Sequence, residues 1–201
     1  MPRTPLGLLI IGLCITTPSA IAGNIFDVLT VGTGAGTPGS NVDIPVFIRD
    51  TSGSILGIDQ PAGSRIQSYS IKVDYAPAAS VQSVTFARAG ITASLTPTFE
   101  SSPSAAGSIS LIDTFSETTN LIPFTLNAAL PGNQIGVLHF ALAAGAPPGT
   151  ITLSIDTALT QLANEAGTTT ETTATSNLFP TNGSITVNPA TPVRLQSFEV
   201  D

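Results

Sequence analysis

The feature that most constrains the fold of this chain is an unbroken alternation of side chains in the segment QSYSIKVDYAP, residues Gln67–Pro77. Aromatic and aliphatic side chains occupy one set of alternate positions: Tyr69, Ile71, Val73 and Tyr75. Polar side chains occupy the other set: Ser68, Ser70, Lys72 and Asp74. Because successive side chains of a β-strand point to opposite faces, the pattern predicts a strand that buries the first set and exposes the second.

Similar short segments recur along the chain and are separated by clusters of Gly, Pro, Asn and Ser, which are typical of turns. Eight segments predict strands: Ile25–Val31, Val42–Ile48, Gln67–Tyr75, Val81–Phe86, Ser108–Phe115, Gln134–Ala143, Thr150–Ile155 and Ser184–Val187. Two weaker candidates lie near Ala93–Phe99 and Ile122–Leu126. Many short strands with turns between them predict an all-β, single-domain sandwich or jelly roll.

Two strand candidates carry further information about their place in a sheet. In Val42–Ile48 the alternation places Pro45 outward, and because proline cannot donate to a strand ladder we expect an edge strand or a bulge there. The run Ile135–Leu142 is apolar on both faces, which predicts a strand in the middle of a sheet. Helical patterns are scarce, and Thr157–Ala166 is interpreted as a turn or loop. The threonine-rich tract Thr168–Thr175 fits an exposed loop or a strand.

The N-terminus has the three parts of a secretory signal peptide in residues 1–22. Arg3 supplies a positive charge, Leu6–Ile15 is an apolar run, and Ala20–Ala22 forms a small-x-small cleavage site. The run is too short to span a bilayer, which takes about 20 apolar residues. We therefore expect a secreted, extracellular protein without a membrane span in its mature form.

The rest of the chain divides into one domain, residues 23–188, and a C-terminal tail, residues 189–201, with no anchor expected after it. Lipid attachment at Cys14 is disfavoured because the preceding Leu13 is large where such signals need a small residue. Cys14 is the only cysteine, so the mature protein would have no disulfide or thiolate metal site and would depend on an ordinary hydrophobic core.

The charge balance excludes nucleic acid as an expected partner. The chain has 6 Lys and Arg against 13 Asp and Glu, and Lys72 is its only lysine. Phosphate binding depends on clustered basic residues that this chain does not have.

Catalysis is not indicated by the residues present. His139 is the only histidine and lies within a predicted strand, and no Gly-x-Ser-x-Gly elbow occurs. Asp113, Glu117 and Asp156 are candidate carboxylates for glycoside hydrolysis, but tryptophan is absent and both tyrosines are predicted to point inward. We therefore expect no enzyme activity and no cofactor.

A metal site is likewise not expected, although one loop offers oxygen ligands. Asp50, Ser52 and Asp59 could contact calcium, but their spacing fits no EF-hand, and an ordinary turn is the favoured interpretation. Asn182-Gly183-Ser184 matches a glycosylation sequon and is also a typical hairpin turn before Ile185.

In four segments the chain resembles the cohesin domains of cellulosome scaffolds. The segments follow one another in the family's order: VDIPVFIRD (Val42–Asp50), SYSIKVDYAP (Ser68–Pro77) with VQSVTF after it, IGVLHFALAAGAPPGTITL (Ile135–Leu153) and NGSITV (Asn182–Val187). The similarity extends over roughly residues 25–188. The sequence departs from the family in its longer loop at Thr51–Arg65 and in Ala76, where the family has an acidic residue.

This resemblance implies a flattened nine-stranded jelly roll without catalytic activity that binds a dockerin-like protein. It also implies that the outward residues Ser68, Ser70 and Lys72 are the positions that contact the partner. Two alternatives stay open, a carbohydrate-binding module that takes polysaccharide and a structural subunit of an extracellular assembly. For the three residues themselves, the alternative is a solvated strand face, which is normal in antiparallel sheets.

Overall fold

A computed structural model describes residues 25–190 of the chain, which form two β-sheets packed face to face. The described part has fourteen strands: β1 (Asp27–Val31), β2 (Thr33–Gly36), β3 (Asn41–Arg49), β4 (Ser68–Ala76), β5 (Val81–Arg88), β6 (Phe99–Ser101), β7 (Ser104–Ala105), β8 (Ser108–Thr114), β9 (Asn133–Leu142), β10 (Gly149–Ile155), β11 (Gln161–Ala163), β12 (Thr170–Glu171), β13 (Leu178–Thr181) and β14 (Gly183–Val187). Its only helical turns are two short 3-10 segments, Ala78–Ser80 and Gly90–Thr92. The predicted all-β sandwich is confirmed.

The first sheet has five strands in the order β13-β1-β3-β9-β5. The second has nine, with β4 near its centre. One side of β4 pairs with β8, and its other side pairs with β10 and then β11. β14 and β2 continue the sheet beyond β10, β12 lies beyond β11, and β6 and β7 lie beyond β8. The outward side chains of β4 are therefore flanked by strands on both sides.

The eight main predicted strands correspond to the eight strands of five or more residues in the described chain. In β4 the predicted inward residues are buried, since Tyr69, Ile71 and Val73 are 0% exposed and Tyr75 is 7% exposed. Strand β9 lies between β3 and β5, which confirms its predicted central place. The core between the sheets is formed from such alternate residues on both inner faces.

Several smaller predictions are wrong. The segment Ile122–Leu126 is not a strand, although Ile122 and Phe124 are buried and cover the core from a loop. Of the candidate near Ala93–Phe99 only Phe99 belongs to a strand. The interpreted loop Thr157–Ala166 contains β11, which pairs with β4. By contrast, the tract Thr168–Thr175 contains the two-residue strand β12, in agreement with the strand alternative.

Pro45 lies in the interior of the first sheet, so the edge-strand alternative is wrong. β3 pairs with β1 on one side and β9 on the other. The last pair of the β1 ladder is Val31 with Val46, and the Pro45 carbonyl accepts a hydrogen bond from Gly32 N at 2.8 Å. Pro45 thus lies just beyond the end of β1, where its lack of an N–H removes no hydrogen bond from the β1–β3 ladder. The alternative of a bulge is confirmed one residue further on, where the β3–β9 register shifts between Val46 and Phe47.

Two neighbouring segments pass together from the first sheet to the second. β1 and β13 run parallel in the first sheet, and their continuations β2 and β14 run parallel in the second. Gly32 makes the first crossing, and Asn182 with Gly183 makes the second. The prediction of a hairpin turn at Asn182-Gly183 is therefore wrong. A side chain is excluded at Gly183, where a Cβ would overlap the carbonyl oxygen of Gly32.

The predicted signal peptide at residues 1–22, with Cys14, lies outside the described residues, as does the predicted tail from residue 191 onward. Within residues 25–190 there is no helix of the length and apolarity needed to cross a membrane.

Candidate functional site

The predicted contact residues lie in one row on the outer surface of the second sheet. Ser70 is directly opposite Ile112 of β8 and Gln161 of β11, and Lys72 is opposite Ser110 of β8. Directly opposed residues of antiparallel strands present their side chains on the same face of the sheet. We call the surface formed by the outward side chains of β4 and their opposed neighbours on β8, β10 and β11 the β4 face.

Serine hydroxyls hold part of this surface to the neighbouring strand. The Ser68 hydroxyl is 3.1 Å from the Asp113 carbonyl oxygen, to which it donates, and 2.9 Å from the Thr114 hydroxyl. Ser70 is half-buried between its two opposed neighbours. Around Ser68 and Ser70 the β4 face therefore carries hydroxyls without a formal charge.

Lys72 supplies the positive charge of the β4 face and is held by two carboxylates. Its Nζ atom donates to Asp156 Oδ2 at 2.9 Å and lies 3.4 Å from Asp74 Oδ1. The hydrogen bond to Asp156 raises the pKa of Lys72 and lowers the pKa of Asp156. The ammonium group is thus fixed in position at the lower end of the row and stays protonated at neutral pH.

Hydroxyl side chains extend the β4 face across the second sheet. The exposed residues of β10 are Thr150, Thr152 and Ser154, and they alternate with buried Ile151, Leu153 and Ile155. On β8 the outward positions carry Ser108, Ser110, Ile112 and Thr114. Such a surface offers many donors and acceptors of hydrogen bonds and a single fixed cation.

The histidine that the sequence offered as a possible base lies on the opposite side of the sandwich. His139 of β9 is paired with Asp43 of β3, and its Nδ1 is 2.7 Å from Asp43 Oδ1. The sequence did not identify Asp43 as a partner, because the two residues meet only when β3 and β9 pair. Both side chains are well exposed, at 44% and 67%, on a flat strand surface. An exposed pair of this kind contributes little to stability.

The three carboxylates considered for sugar hydrolysis each have a structural partner. Asp113 is buried and accepts a short hydrogen bond from the Tyr69 hydroxyl, and burial raises its pKa to about 6. Glu117 accepts from the backbone N–H of Gly63 at 2.7 Å. Asp156 is bonded to Lys72. The structure does not bring the three together as a catalytic pair.

The loop residues considered for calcium instead organise the loop itself. Asp50 Oδ2 accepts from Ile58 N at 2.8 Å, and Asp59 Oδ2 accepts from both the Ser52 hydroxyl and Gly53 N at 3.0 Å. In the described part of the chain, no three His, Cys, Asp or Glu side chains form a group that could hold a metal ion. These hydrogen bonds hold the residues of the loop Thr51–Arg65 together.

An exposed apolar patch lies where β1 and β13 meet. The rings of Phe26 and Phe179 are 5.4 Å apart between centroids and are tilted by 33°. Beside them is a depression of about 380 Å³ that Leu178 and Pro180 also line.

Sequence reasoning missed two buried acids, Asp27 in β1 and Glu171 in β12, both 0% exposed. The only sequence signal for Asp27 is its place in the apolar segment IFDVLTV, where an inward carboxylate is unusual. Glu171 lies in the threonine-rich tract, which has no periodicity that predicts burial.

Comparison with known proteins gives solved structures only, since no protein-family profile and no curated protein sequence matches the chain. CaCohA2 of Clostridium acetobutylicum, solved in complex with CaDoc0917, is 23% identical with a TM-score of 0.57, over 81% of this chain and 99% of that one. The sixth cohesin of scaffoldin B from Acetivibrio cellulolyticus, in complex with a Cel5 dockerin, is 15% identical with a TM-score of 0.54, over 81% and 99%. A non-cellulosomal cohesin from the archaeon Archaeoglobus fulgidus is 10% identical with a TM-score of 0.50, over 81% and 91%.

Proposed function

We propose that this chain, which is a cohesin-type domain by its fold, is a non-catalytic secreted module that binds a dockerin-like protein through the β4 face. The observation that carries the proposal is the row Ser68, Ser70 and Lys72 on the outer surface of β4, in a fold whose solved examples include complexes with dockerins.

The β4 face has the physical properties of a protein-binding surface. It is wide because β8, β10 and β11 flank β4, and its strands are fixed by continuous ladders. Hydroxyls and one fixed ammonium group can pair with backbone and side-chain groups of a partner without burying an unmatched cluster of charge. Because Asp74 and Asp156 already pair with Lys72, a partner surface that offers hydrogen-bond donors and acceptors fits this face best.

The setting that we propose is extracellular. Residues 1–22 would direct export, residues 23–188 would form the binding domain, and residues 189–201 would follow as a tail. A role beside enzymes that degrade polysaccharides would agree with the scaffold proteins whose cohesins this fold resembles.

Affinity capture followed by calorimetry tests the proposal. The chain from residue 23 onward is immobilised, proteins from its native culture medium are captured, and a captured protein that carries a dockerin module is titrated in solution. Ser70→Glu adds bulk and charge at the centre of the β4 face, so we expect a loss of affinity of at least tenfold. The matched control is Thr85→Glu, an exposed outward position on β5 of the first sheet, which should bind as the wild type does.

Three results would contradict the proposal. Equal binding by the two variants would place the contact elsewhere. Retention on insoluble cellulose or xylan, without a protein partner, would favour a carbohydrate-binding module. Oligomers that grow with protein concentration would favour a structural subunit.

A further inference from the structure

Two fully buried carboxyl groups from different sheets hold the same loop. Asp27 begins β1 of the first sheet and Glu171 ends β12 of the second. Asp27 Oδ1 accepts from Thr51 N at 2.8 Å, and Glu171 Oε1 accepts from Leu56 N at 2.8 Å. One oxygen of each carboxyl group is therefore used to fix the loop Thr51–Arg65.

The second oxygen of each carboxyl group is buried. Asp27 and Glu171 lie close enough to interact electrostatically, and Asp27 Oδ2 and Glu171 Oε2 have no hydrogen-bond partner in the described part of the chain. Backbone hydrogen bonds hold the segments that carry the two acids side by side. Leu178 N donates to Thr172 O, and Asp27 N donates to Asn177 O. An ionised carboxylate can only accept, so a hydrogen bond between two carboxyl groups requires a proton on one of them.

The surrounding charges favour keeping that proton. A third buried acid in this region, Asp50, faces both groups and has exposed Asp59 beside it. The guanidinium group of Arg49, the basic residue nearest in sequence, donates instead to the Ala128 carbonyl and the Thr51 hydroxyl. The ion pairs found among residues 25–190 include none of the three buried acids.

We propose that Asp27 and Glu171 share one proton and so form a clasp between the two sheets, which opens when the proton is lost at alkaline pH. Burial raises the pKa of Asp27 to about 9, and burial also raises the pKa of Glu171. With the shared proton in place the pair carries a single negative charge. Once that proton is lost, two buried carboxylates repel each other, and no ion pair among residues 25–190 offsets either charge.

The clasp lies beside the β4 face. Glu171 of β12 is opposite Leu162 of β11, and β11 in turn places Gln161 opposite Ser70 and Ala163 opposite Ser68. Opening the clasp would release β12 and loosen the strand that borders the two serines. If the β4 face binds a partner as proposed above, opening of the clasp weakens that binding at alkaline pH.

The sign of the pH effect follows from proton linkage. In the unfolded chain both carboxyl groups lose their protons near pH 4, whereas the folded pair keeps one proton up to about pH 9. The folded state therefore binds more protons across this window, and its stability falls as pH rises. The corresponding drop in the thermal midpoint is about 4 °C per pH unit between pH 7 and pH 9.

Thermal unfolding at pH 7, 8 and 9 tests the clasp on the chain from residue 23 onward. In Glu171→Gln the amide oxygen can still accept from Leu56 and the amide N–H₂ can donate to ionised Asp27, so we expect the slope of the midpoint with pH to fall to less than half. In Asp27→Asn the new amide N–H₂ can donate to ionised Glu171. This variant provides the same test if Glu171→Gln fails to fold. The control Asp43→Asn removes an exposed carboxylate and should keep the wild-type slope.

Two outcomes would overturn the clasp. An unchanged slope in both amide variants would show that the pair does not hold the proton. A rise in the wild-type midpoint with millimolar calcium chloride, reversed by EDTA and absent from Glu171→Gln, would show that a cation fills the gap instead.

A binding titration separates this inference from the proposed function. If the slope changes as expected but no dockerin-like partner binds at any pH, the clasp stands and the proposed function fails. If a partner binds equally at pH 7 and pH 9 while the slope changes, the link between the clasp and the β4 face is wrong.

Discussion

At the scale of single residues, the interior of this sandwich is notable for a hydrogen bond between a tyrosine and a carboxylate. Tyr69 and Asp113 are both 0% exposed, and the tyrosine hydroxyl donates to Asp113 Oδ2. The other carboxylate oxygen, Oδ1, has no partner in the described chain. Burial raises the pKa of Tyr69 as well, so the phenol stays a donor across the physiological range. The pair joins the adjacent strands β4 and β8 from within the core.

Replacing Tyr69 by Phe should lower the free energy of unfolding by about 1–3 kcal/mol, because a buried carboxylate loses its donor. The matched control is Tyr75→Phe, in which a hydroxyl at the edge of the core loses a 3.1 Å bond to the Ala105 carbonyl. We expect the control to cost no more than about 1 kcal/mol. Urea unfolding of both variants measures the difference, and equal losses would contradict the importance given to the pair.

At the scale of strands, the two parallel crossings at Gly32 and Gly183 decide how one sheet passes into the other. The backbones approach so closely there that a Cβ on Gly183 would overlap Gly32 O and lie 2.8 Å from Val31 O. Both of these neighbours are backbone atoms, which cannot rotate away. The crossing at Gly183 therefore requires glycine for reasons of space.

Gly183→Ala should accordingly destabilise the domain by about 3 kcal/mol through overpacking. Gly145→Ala is the control, because a Cβ at that loop position meets nothing within 4 Å. Thermal unfolding of the two variants side by side measures the effect. A Gly183 variant as stable as the Gly145 variant would show that the crossing can open without loss.

The long strands could be predicted from the sequence because each repeats the two-residue period several times. β4, with nine residues, shows four inward and five outward positions, and its burial agrees with the prediction. The short strands β11 and β12, with three and two residues, are too brief for a period and form only because β4 and β11 offer free ladder groups beside them. The edge-strand prediction for Pro45 was wrong because Pro45 is accommodated by the end of β1. The position of that end depends on the crossing at Gly32.

The candidate site was likewise predictable from the sequence only in part. Alternation alone was enough to place Ser68, Ser70 and Lys72 on one outward row, which β4 has in the structure. Asp156, which fixes the lysine, follows β10 and reaches Lys72 only through the pairing of β10 with β4. The pairing of Asp27 with Glu171 depends on contacts between two sheets and has no trace in local sequence.

At the scale of the whole molecule, the sandwich has two outer surfaces of different character. The first sheet presents the exposed pair Asp43 and His139 and the apolar patch at Phe26 and Phe179. The second presents the hydroxyl-rich β4 face with its fixed lysine. The central claim is that the second surface receives a protein partner, while the first remains in solvent.

The most direct test of that claim is a crystal structure of the domain in complex with a captured dockerin-bearing partner. We expect Ser68, Ser70 and Lys72 to become buried beneath the partner, while Thr85 and His139 keep their exposure. A partner seated on the first sheet, or on the patch at Phe26 and Phe179, would contradict it.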